Sequence, residues 1–260
     1  MSVFQSADAQ INYQTFGDPN PPALVFSNSL GTNYGMWQKQ FNYFKERFYV
    51  ICYDTRGHGS SSTPTGPYTL QQLGEDVIRL LDHLKIEKAN FCGISMGGIT
   101  GQWLAIHYPE RFQRVVVSNT AAKIGQEQAW LDRAQLVRKQ GLVPIATTAA
   151  SRWFTDPFIQ SHPAIVNNLC NDLSAGSADG YASCCEALAK ADVREQLKDI
   201  YIPVLVIAGT QDPVTTVADG QLMQQQIPQS QLVEIDASHI SNIEQADAFN
   251  QALFNFINKT

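Results

Sequence analysis

Three separated side chains, Ser95, Asp212 and His239, are the best candidates for chemistry in this chain. Ser95 sits in Gly93-Ile94-Ser95-Met96-Gly97-Gly98, a Gly-x-Ser-x-Gly pattern. The pattern suits a tight strand-to-helix turn, because the glycines let strand and helix approach closely while the serine is held in a strained conformation. Its surroundings fit such a turn. A β-like apolar run ends at Ile94, and a helical run from Ile99 to Tyr108 stops at Pro109, which cannot continue it. A serine hydroxyl is a weak nucleophile until a base takes its proton and a carboxylate orients that base.

Five histidines are candidates for the base. His83 falls beside Leu84 on a helix and reads as a surface residue. His107 ends the helix after Ser95, where it can satisfy terminal carbonyls, and His162 precedes Pro163. His58 lies in the glycine-rich turn Asp54-Thr55-Arg56-Gly57-His58-Gly59, ahead of the serine, and reads as structural. On a nucleophile elbow of this kind the chain order is serine, acid, histidine. Only His239, just after the last strand-like run, has Ser95 and a suitable acid before it. That acid is expected to be Asp212, which follows the run Val204–Ala208 at the carboxyl edge where open sheets bind ligands. Asp236 is the rival, but it stands only three residues before His239 and is poorly placed to reach the ring. After the preceding strand the chain has Ser118-Asn119, with no carboxylate. The oxyanion donors expected are the backbone N–H groups of Met96 and of Leu30 in Ser27-Asn28-Ser29-Leu30-Gly31, with both side chains shaping the pocket. One such donor is worth on the order of 3 kcal/mol in the transition state.

These residues must be carried by a sheet. Short β-branched runs at Ala23–Phe26, Phe48–Tyr53, Ala89–Ile94, Arg114–Val117, Val204–Ala208 and Leu232–Ile235 read mostly as strands buried on both faces. Before them, Val3, Ile11 and Tyr13 alternate with Asn12 and Gln14 as in a half-exposed hairpin. Leu70, Leu73, Val77, Leu80, Leu81 and Leu84 have helical spacing, as do Ala246, Phe249, Leu253, Phe256 and Ile257. Strand alternating with helix predicts a doubly wound, mostly parallel α/β sheet of about eight strands. Residues 121–196 hold no strand-like run, only helical patches at Trp130–Lys139, Ile165–Leu173 and Tyr181–Ala191. They read as a helical lid inserted into a core made of residues 1–120 and 197–260.

Length and composition agree. With 260 residues, 44% hydrophobic and 16% charged, the chain suits an ordinary globular α/β domain. A net charge of −6 without basic runs argues against nucleic acid or anionic membrane as the main partner. No run reaches the roughly 18 apolar residues of a membrane span, and the first residues have no leader pattern. Five cysteines without Cys-x-x-Cys spacing suggest neither zinc nor a disulfide framework, so a reduced cytoplasmic protein is expected.

The whole chain resembles the α/β-hydrolase superfamily and, within it, the 3-oxoadipate enol-lactonases of bacterial aromatic-acid breakdown. The likeness rests on Phe26-Ser27-Asn28-Ser29-Leu30-Gly31-Thr32 with Met36-Trp37 and on Tyr53-Asp54-Thr55-Arg56-Gly57-His58-Gly59-Ser60-Ser61. It rests equally on the Ser95 elbow with Gly101-Gln102-Trp103-Leu104, and on Ser118-Asn119-Thr120-Ala121. Most superfamily members have His-Gly where this chain has Asn28-Ser29, and the Ser-Asn-Ser-Leu-Gly loop carries most of the substrate inference. The resemblance implies hydrolysis of a small lactone bearing a carboxylate, without metal or cofactor, through a Ser95–His239–Asp212 acyl-enzyme mechanism. Such a carboxylate needs a cation or several donors in a mostly apolar pocket. The lid offers Arg133, Arg138 and Arg152, with Trp130, Trp153 and Phe154 as walls. Rival readings are a carboxylesterase or cofactor-free perhydrolase with the same triad, and a ligand sensor that retains it. Dehalogenation is disfavoured, because in this fold it uses an aspartate at the elbow.

Overall fold

The computed structural model describes residues 2–258. Its strands are β1 (Ser2–Ser6), β2 (Ala9–Phe16), β3 (Ala23–Ser27), β4 (Tyr49–Tyr53), β5 (Ala89–Ile94), β6 (Phe112–Ser118), β7 (Val204–Gly209) and β8 (Ser230–Ile235). They form one eight-stranded sheet in the order β1-β2-β4-β3-β5-β6-β7-β8. β1 pairs antiparallel with β2, and β2 with β4. All other neighbours are parallel. From β3 the chain steps to one side to make β4, then crosses back to make β5 on the other. The carboxyl ends of β3 and β5 therefore flank the point where the winding reverses, the crevice in which open α/β sheets bind ligands. The loop after β3 and the turn holding Ser95 lie side by side there.

Helices α1 (Gln38–Phe44), α2 (Leu70–His83) and α3 (Met96–His107) belong to the first half of the sheet, and α3 packs on β5 and β6. The start of α2 is encoded locally. Thr69 caps it in a reciprocal capping box with Gln72, and Leu70, Leu73, Val77, Leu80 and Leu81 turn one buried stripe to the core. Every residue of β3, β5 and β7 is buried, and apart from Ser27 and Asn90 their side chains are apolar or glycine.

Two expectations need correction. β8 is an edge strand, half-exposed along most of its length because only β7 pairs with it. In the hairpin Val3 points outward, whereas Asn12 is buried, its amide donating to Asp54 Oδ2 at 2.8 Å. The polar residue goes inside because a partner waits there, a pairing that alternation cannot register.

Between β6 and β7 run six helices: α4 (Glu127–Gln140), α5 (Val143–Thr147), α6 (Ala149–Trp153), α7 (Asp156–Ser161), α8 (Pro163–Ser174) and α9 (Ala178–Lys190). Three of them, α5, α6 and α7, are too short for apolar periodicity to register. Pro144, Pro157 and Pro163 each sit in a first helical turn, where the missing N–H costs nothing. The chain closes with α10 (Val217–Gln226), α11 (Ser241–Glu244) and α12 (Ala246–Ile257). Among the described residues no helix is long and apolar enough to cross a membrane.

The elbow glycines are set by contact. A Cβ on Gly93 would lie 2.1 Å from the Gly97 carbonyl oxygen, and one on Gly97 would lie 2.3 Å from that of Ser27. Both obstacles are backbone and cannot give. Gly97→Ala is therefore expected to lower unfolding free energy by about 1–3 kcal/mol or more, read from a urea melt. An unchanged midpoint would contradict the close approach.

Candidate active site

Ser95 follows β5 directly, with φ 56° and ψ −114°. Side chains avoid this positive-φ region, so its neighbours must hold it. Its N–H donates to Ser118 O at 2.9 Å, while its carbonyl accepts from Ile99 N at 3.0 Å and Thr120 Oγ1 at 2.8 Å. The helix begins at Met96 rather than Ile99, because Gly97 and Gly98 continue it against Ser27 and Thr120 with no room to spare. Gly97 N donates to Asn28 O at 3.0 Å, which pins the loop after β3 to the first turn of α3. Asn28 is fixed in turn by Trp37 Nε1 at 2.9 Å and by its own bond to Tyr53 O at 2.8 Å. Among the described residues neither the Leu30 nor the Met96 N–H donates to a protein acceptor.

His239 is buried in the loop between β8 and α11, its Nδ1 at 2.8 Å from Asp212 Oδ2. A carboxylate only accepts, so Nδ1 carries a proton, which leaves Nε2 as the nitrogen of the neutral ring that can take one. Asp212, after β7, is buried and densely bonded. Besides His239, Oδ2 accepts from Thr215 Oγ1 at 2.8 Å and Asn119 Nδ2 at 3.1 Å. Oδ1 accepts the N–H groups of Val214 at 2.8 Å and Thr215 at 3.1 Å. Burial alone would raise the carboxyl pKa. The attraction and hydrogen bond of His239, with the two amides, outweigh it and hold the group below the ordinary carboxylate value.

Asn119 escapes a search for carboxylates, yet it braces the acid. Its Nδ2 also donates to Ser238 O at 3.0 Å, and its Oδ1 accepts from Ser118 Oγ at 2.8 Å and from Ser241 Oγ. Every hydrogen-bonding position on the side chain is used. Its φ is 44°, in the left-handed region that Asn tolerates better than most residues.

Ser95 and His239 both line a cavity of about 270 Å³. Ser29, Leu30, Pro213 and Val214 form its core side, and Ile124, Trp130, Trp153, Leu173 and Tyr181 its helical side. Arg133 and Arg152 also line it. Arg133 lies over the Trp130 ring at 4.8 Å, and Arg152 Nη1 is bonded to Thr148 Oγ1 at 2.6 Å. Among the described residues neither guanidinium has a carboxylate within 4.0 Å. Burial and then the charge of Arg133 push the Arg152 pKa below its ordinary value. Burial pushes Tyr181 up to about 12, so its hydroxyl stays protonated beside them.

Other candidates fall elsewhere. Arg138 does not reach the cavity: it is exposed and clamped by Glu186, with Nη1–Oε1 at 2.6 Å and Nη2–Oε2 at 2.8 Å. Phe154 is buried against Phe158, with ring centres 4.9 Å apart, and forms no wall. The Met96 side chain is buried beneath the site and does not line it. Asp236 turns to Gln211 Nε2 at 2.7 Å and Thr210 Oγ1 at 3.2 Å. His83 is exposed, and His162 stacks on Phe158 with centres 4.4 Å apart. His107 packs against Trp103 at 4.5 Å instead of capping carbonyls.

Known proteins share this layout. A family model described as alpha/beta hydrolase fold matches residues 22–246. The chain is 68% identical to 3-oxoadipate enol-lactonase 2 of Acinetobacter baylyi over 246 residues, covering 95% of this chain and 92% of that protein. It is 50% identical to 3-oxoadipate enol-lactonase 1 of the same organism, again over 95% of this chain and 92% of the relative. The crystal structure of the enol-lactonase from Burkholderia xenovorans LB400 superposes with a TM-score of 0.98 at 42% identity, covering 99% of this chain and 100% of that one.

The lowered Asp212 pKa fixes the sign of a pH effect. The folded carboxyl holds its proton less tightly than the unfolded one, whose pKa is about 3.9. Its stabilisation is therefore complete above that value and disappears as pH falls through the lower folded value. Asp212→Asn should flatten the acid limb of the stability–pH curve in denaturant titrations. Identical acid limbs in variant and parent would contradict the assignment.

Proposed function

The chain belongs to the α/β-hydrolase family, and from that premise we propose that it opens the ring of 3-oxoadipate enol-lactone to give 3-oxoadipate in the β-ketoadipate route of aromatic breakdown. Ser95 is the nucleophile, His239 the base and Asp212 the group that orients and stabilises the imidazole. The two enol-lactonase relatives support the substrate by their names. The observation that carries the reading for this chain's own residues is the pair Arg133 and Arg152. Both sit in the same cavity as Ser95 and His239, and neither has an acidic partner among the described residues. A cation left without a counterion on an apolar wall is costly, and a substrate carboxylate removes that cost.

The proposed reaction uses these groups in turn. Ser95 Oγ attacks the lactone carbonyl as its proton passes to His239 Nε2, and the carbonyl oxygen becomes an oxyanion facing the N–H groups of Leu30 and Met96. Collapse breaks the bond to the ring oxygen, which takes the proton from the imidazolium and leaves as an enol. An enol is more acidic than an alkyl alcohol and needs less help to leave, and its conversion to a ketone disfavours ring closure. Water then attacks the acyl group and gives a proton to His239. The second tetrahedral intermediate collapses, releasing the carboxylic acid and returning the proton to Ser95. No residue other than these must change its charge. The helices of residues 121–196 act as a lid whose inner face selects for the distal carboxylate.

The test compares a charged and a neutral substrate. Ser95→Ala should abolish turnover of both the enol-lactone and a neutral aryl ester. Arg133→Ala and Arg152→Ala should each lower kcat/KM for the enol-lactone by roughly tenfold to a hundredfold, the worth of a charge-assisted hydrogen bond. On the aryl ester they should change it little. Equal losses on both substrates would remove the arginines from carboxylate recognition, and a Ser95→Ala protein with full activity would end the serine mechanism.

A further inference from the structure

His58 is a buried, titratable side chain that the reaction just described leaves unused, although it touches the loop that supplies an oxyanion donor. Its Nε2 lies 2.9 Å from the backbone N of Gly31, the residue after Leu30. A backbone N–H only donates, so Nε2 must accept and the ring proton must reside on Nδ1. Nδ1 in turn faces Arg56 O at 3.3 Å, an acceptor only, which fits that tautomer. Both ring nitrogens are thereby assigned, and the ring is neutral.

The seat of this histidine is rigid. His58 N donates to Thr55 O at 2.9 Å, and Ser61 N donates to His58 O at 3.0 Å. The preceding Gly57, with φ 75°, lies flat against α9, where an added Cβ would come within 2.5 Å of the Gly180 Cα. On the other side, a Cβ on Gly31 would meet Leu173 Cδ1 at 2.7 Å and the Tyr181 ring at 3.1 Å. The oxyanion loop is therefore squeezed between the lid side chains that line the cavity and an imidazole that holds its amide.

We propose that His58 is a positioning residue for the reaction: as a neutral Nδ1–H imidazole it accepts the Gly31 N–H and so aims the adjacent Leu30 N–H at the developing oxyanion. A second proton would set an N–H on Nε2 against the Gly31 N–H, turning an attractive contact repulsive. The groups that face the ring pull in both directions, and burial decides against that proton. Burial lowers the His58 pKa, the Arg56 carbonyl and the Asp54 carboxylate raise it, and burial prevails. Cys184 Sγ stands 4.0 Å from Nδ1, and burial holds that thiol in its neutral form. The Tyr181 ring centre is 6.4 Å away, and Asp172 faces the cavity next to the ring.

The inference rests on the proposed serine mechanism, and its test separates the two. His58→Phe fills the ring's space without an acceptor, and His58→Gln can offer an amide oxygen that never titrates. On the enol-lactone, His58→Phe should lower kcat about tenfold or more with KM nearly unchanged, short of the 10²–10³ lost when a donor is removed outright. His58→Gln should recover most of that kcat. Full kcat in His58→Phe, or equal losses in both variants with a shared fall in melting temperature, would overturn the proposal while Ser95→Ala remained inactive. Activity surviving in Ser95→Ala would instead sink the underlying mechanism. Should His58→Phe fail to fold, ¹⁵N-histidine NMR of the unmodified protein decides. One imidazole must stay in the neutral Nδ1–H form through the range near pH 6.5 where free histidines titrate. If the His58 proton is found on Nε2, the proposal is wrong.

Discussion

Everything at this site depends on the backbone of Ser95 being held at positive φ. That conformation lifts one side chain off the end of a buried strand and starts a helix at the very next residue, so the hydroxyl meets the cavity while the chain turns away beneath it. The close contact among Gly93, Gly97 and Ser27 makes the turn possible, and the same contact presses the β3 loop against the first turn of α3. The two amides available to an oxyanion come from those two segments. The Met96 amide also belongs to the start of a 12-residue helix, whose positive end favours charge growing on a substrate oxygen. One local strain therefore sets the Ser95 hydroxyl, the two amides and the helix field together.

The charged groups around the cavity follow opposite rules. On the core side Asp212 is over-satisfied, with five donors on two oxygens, so its charge is spent orienting His239 and is not offered to a ligand. On the helical side Arg133 and Arg152 lack acidic partners among the described residues, so their charge is available. Arg138, five residues beyond Arg133 and so on another face of α4, shows the alternative: Glu186 consumes its charge, and it takes no part in the cavity. A net charge of −6 conceals this arrangement, because the fate of each charge is decided by its nearest neighbours.

Sequence patterns reported the parts whose signals are local. The glycines around Ser95 bear their meaning in six residues, and the apolar runs of β3, β5 and β7 announce strands buried on both faces. Chain order pointed to His239 and Asp212, since each follows a strand. Side chains that gain their role from distant partners stayed hidden. Asn119 looked like a missing acid, but the brace it forms joins residues 93 and 119 positions away in the chain. Asn12 looked like an outward residue until Asp54 was found beside it. Among the arginines between β6 and β7 only the fold could separate Arg133 and Arg152 from Arg138, because the separation depends on where Glu186 of α9 packs against α4.

The helical segment between β6 and β7 shares bonds with the loop that carries His239. Glu244 accepts the Ser238 N–H at 2.8 Å on one oxygen and the Thr155 N–H at 3.2 Å on the other, where the Thr155 hydroxyl also donates. Ile240 N donates to Trp153 O at 3.0 Å. The residues on both sides of His239 are thus tied to the segment from Trp153 to Thr155, and Trp153 is a cavity wall. A shift of that segment would strain both ties at once, so the wall near Trp153 and the imidazole form one mechanical unit.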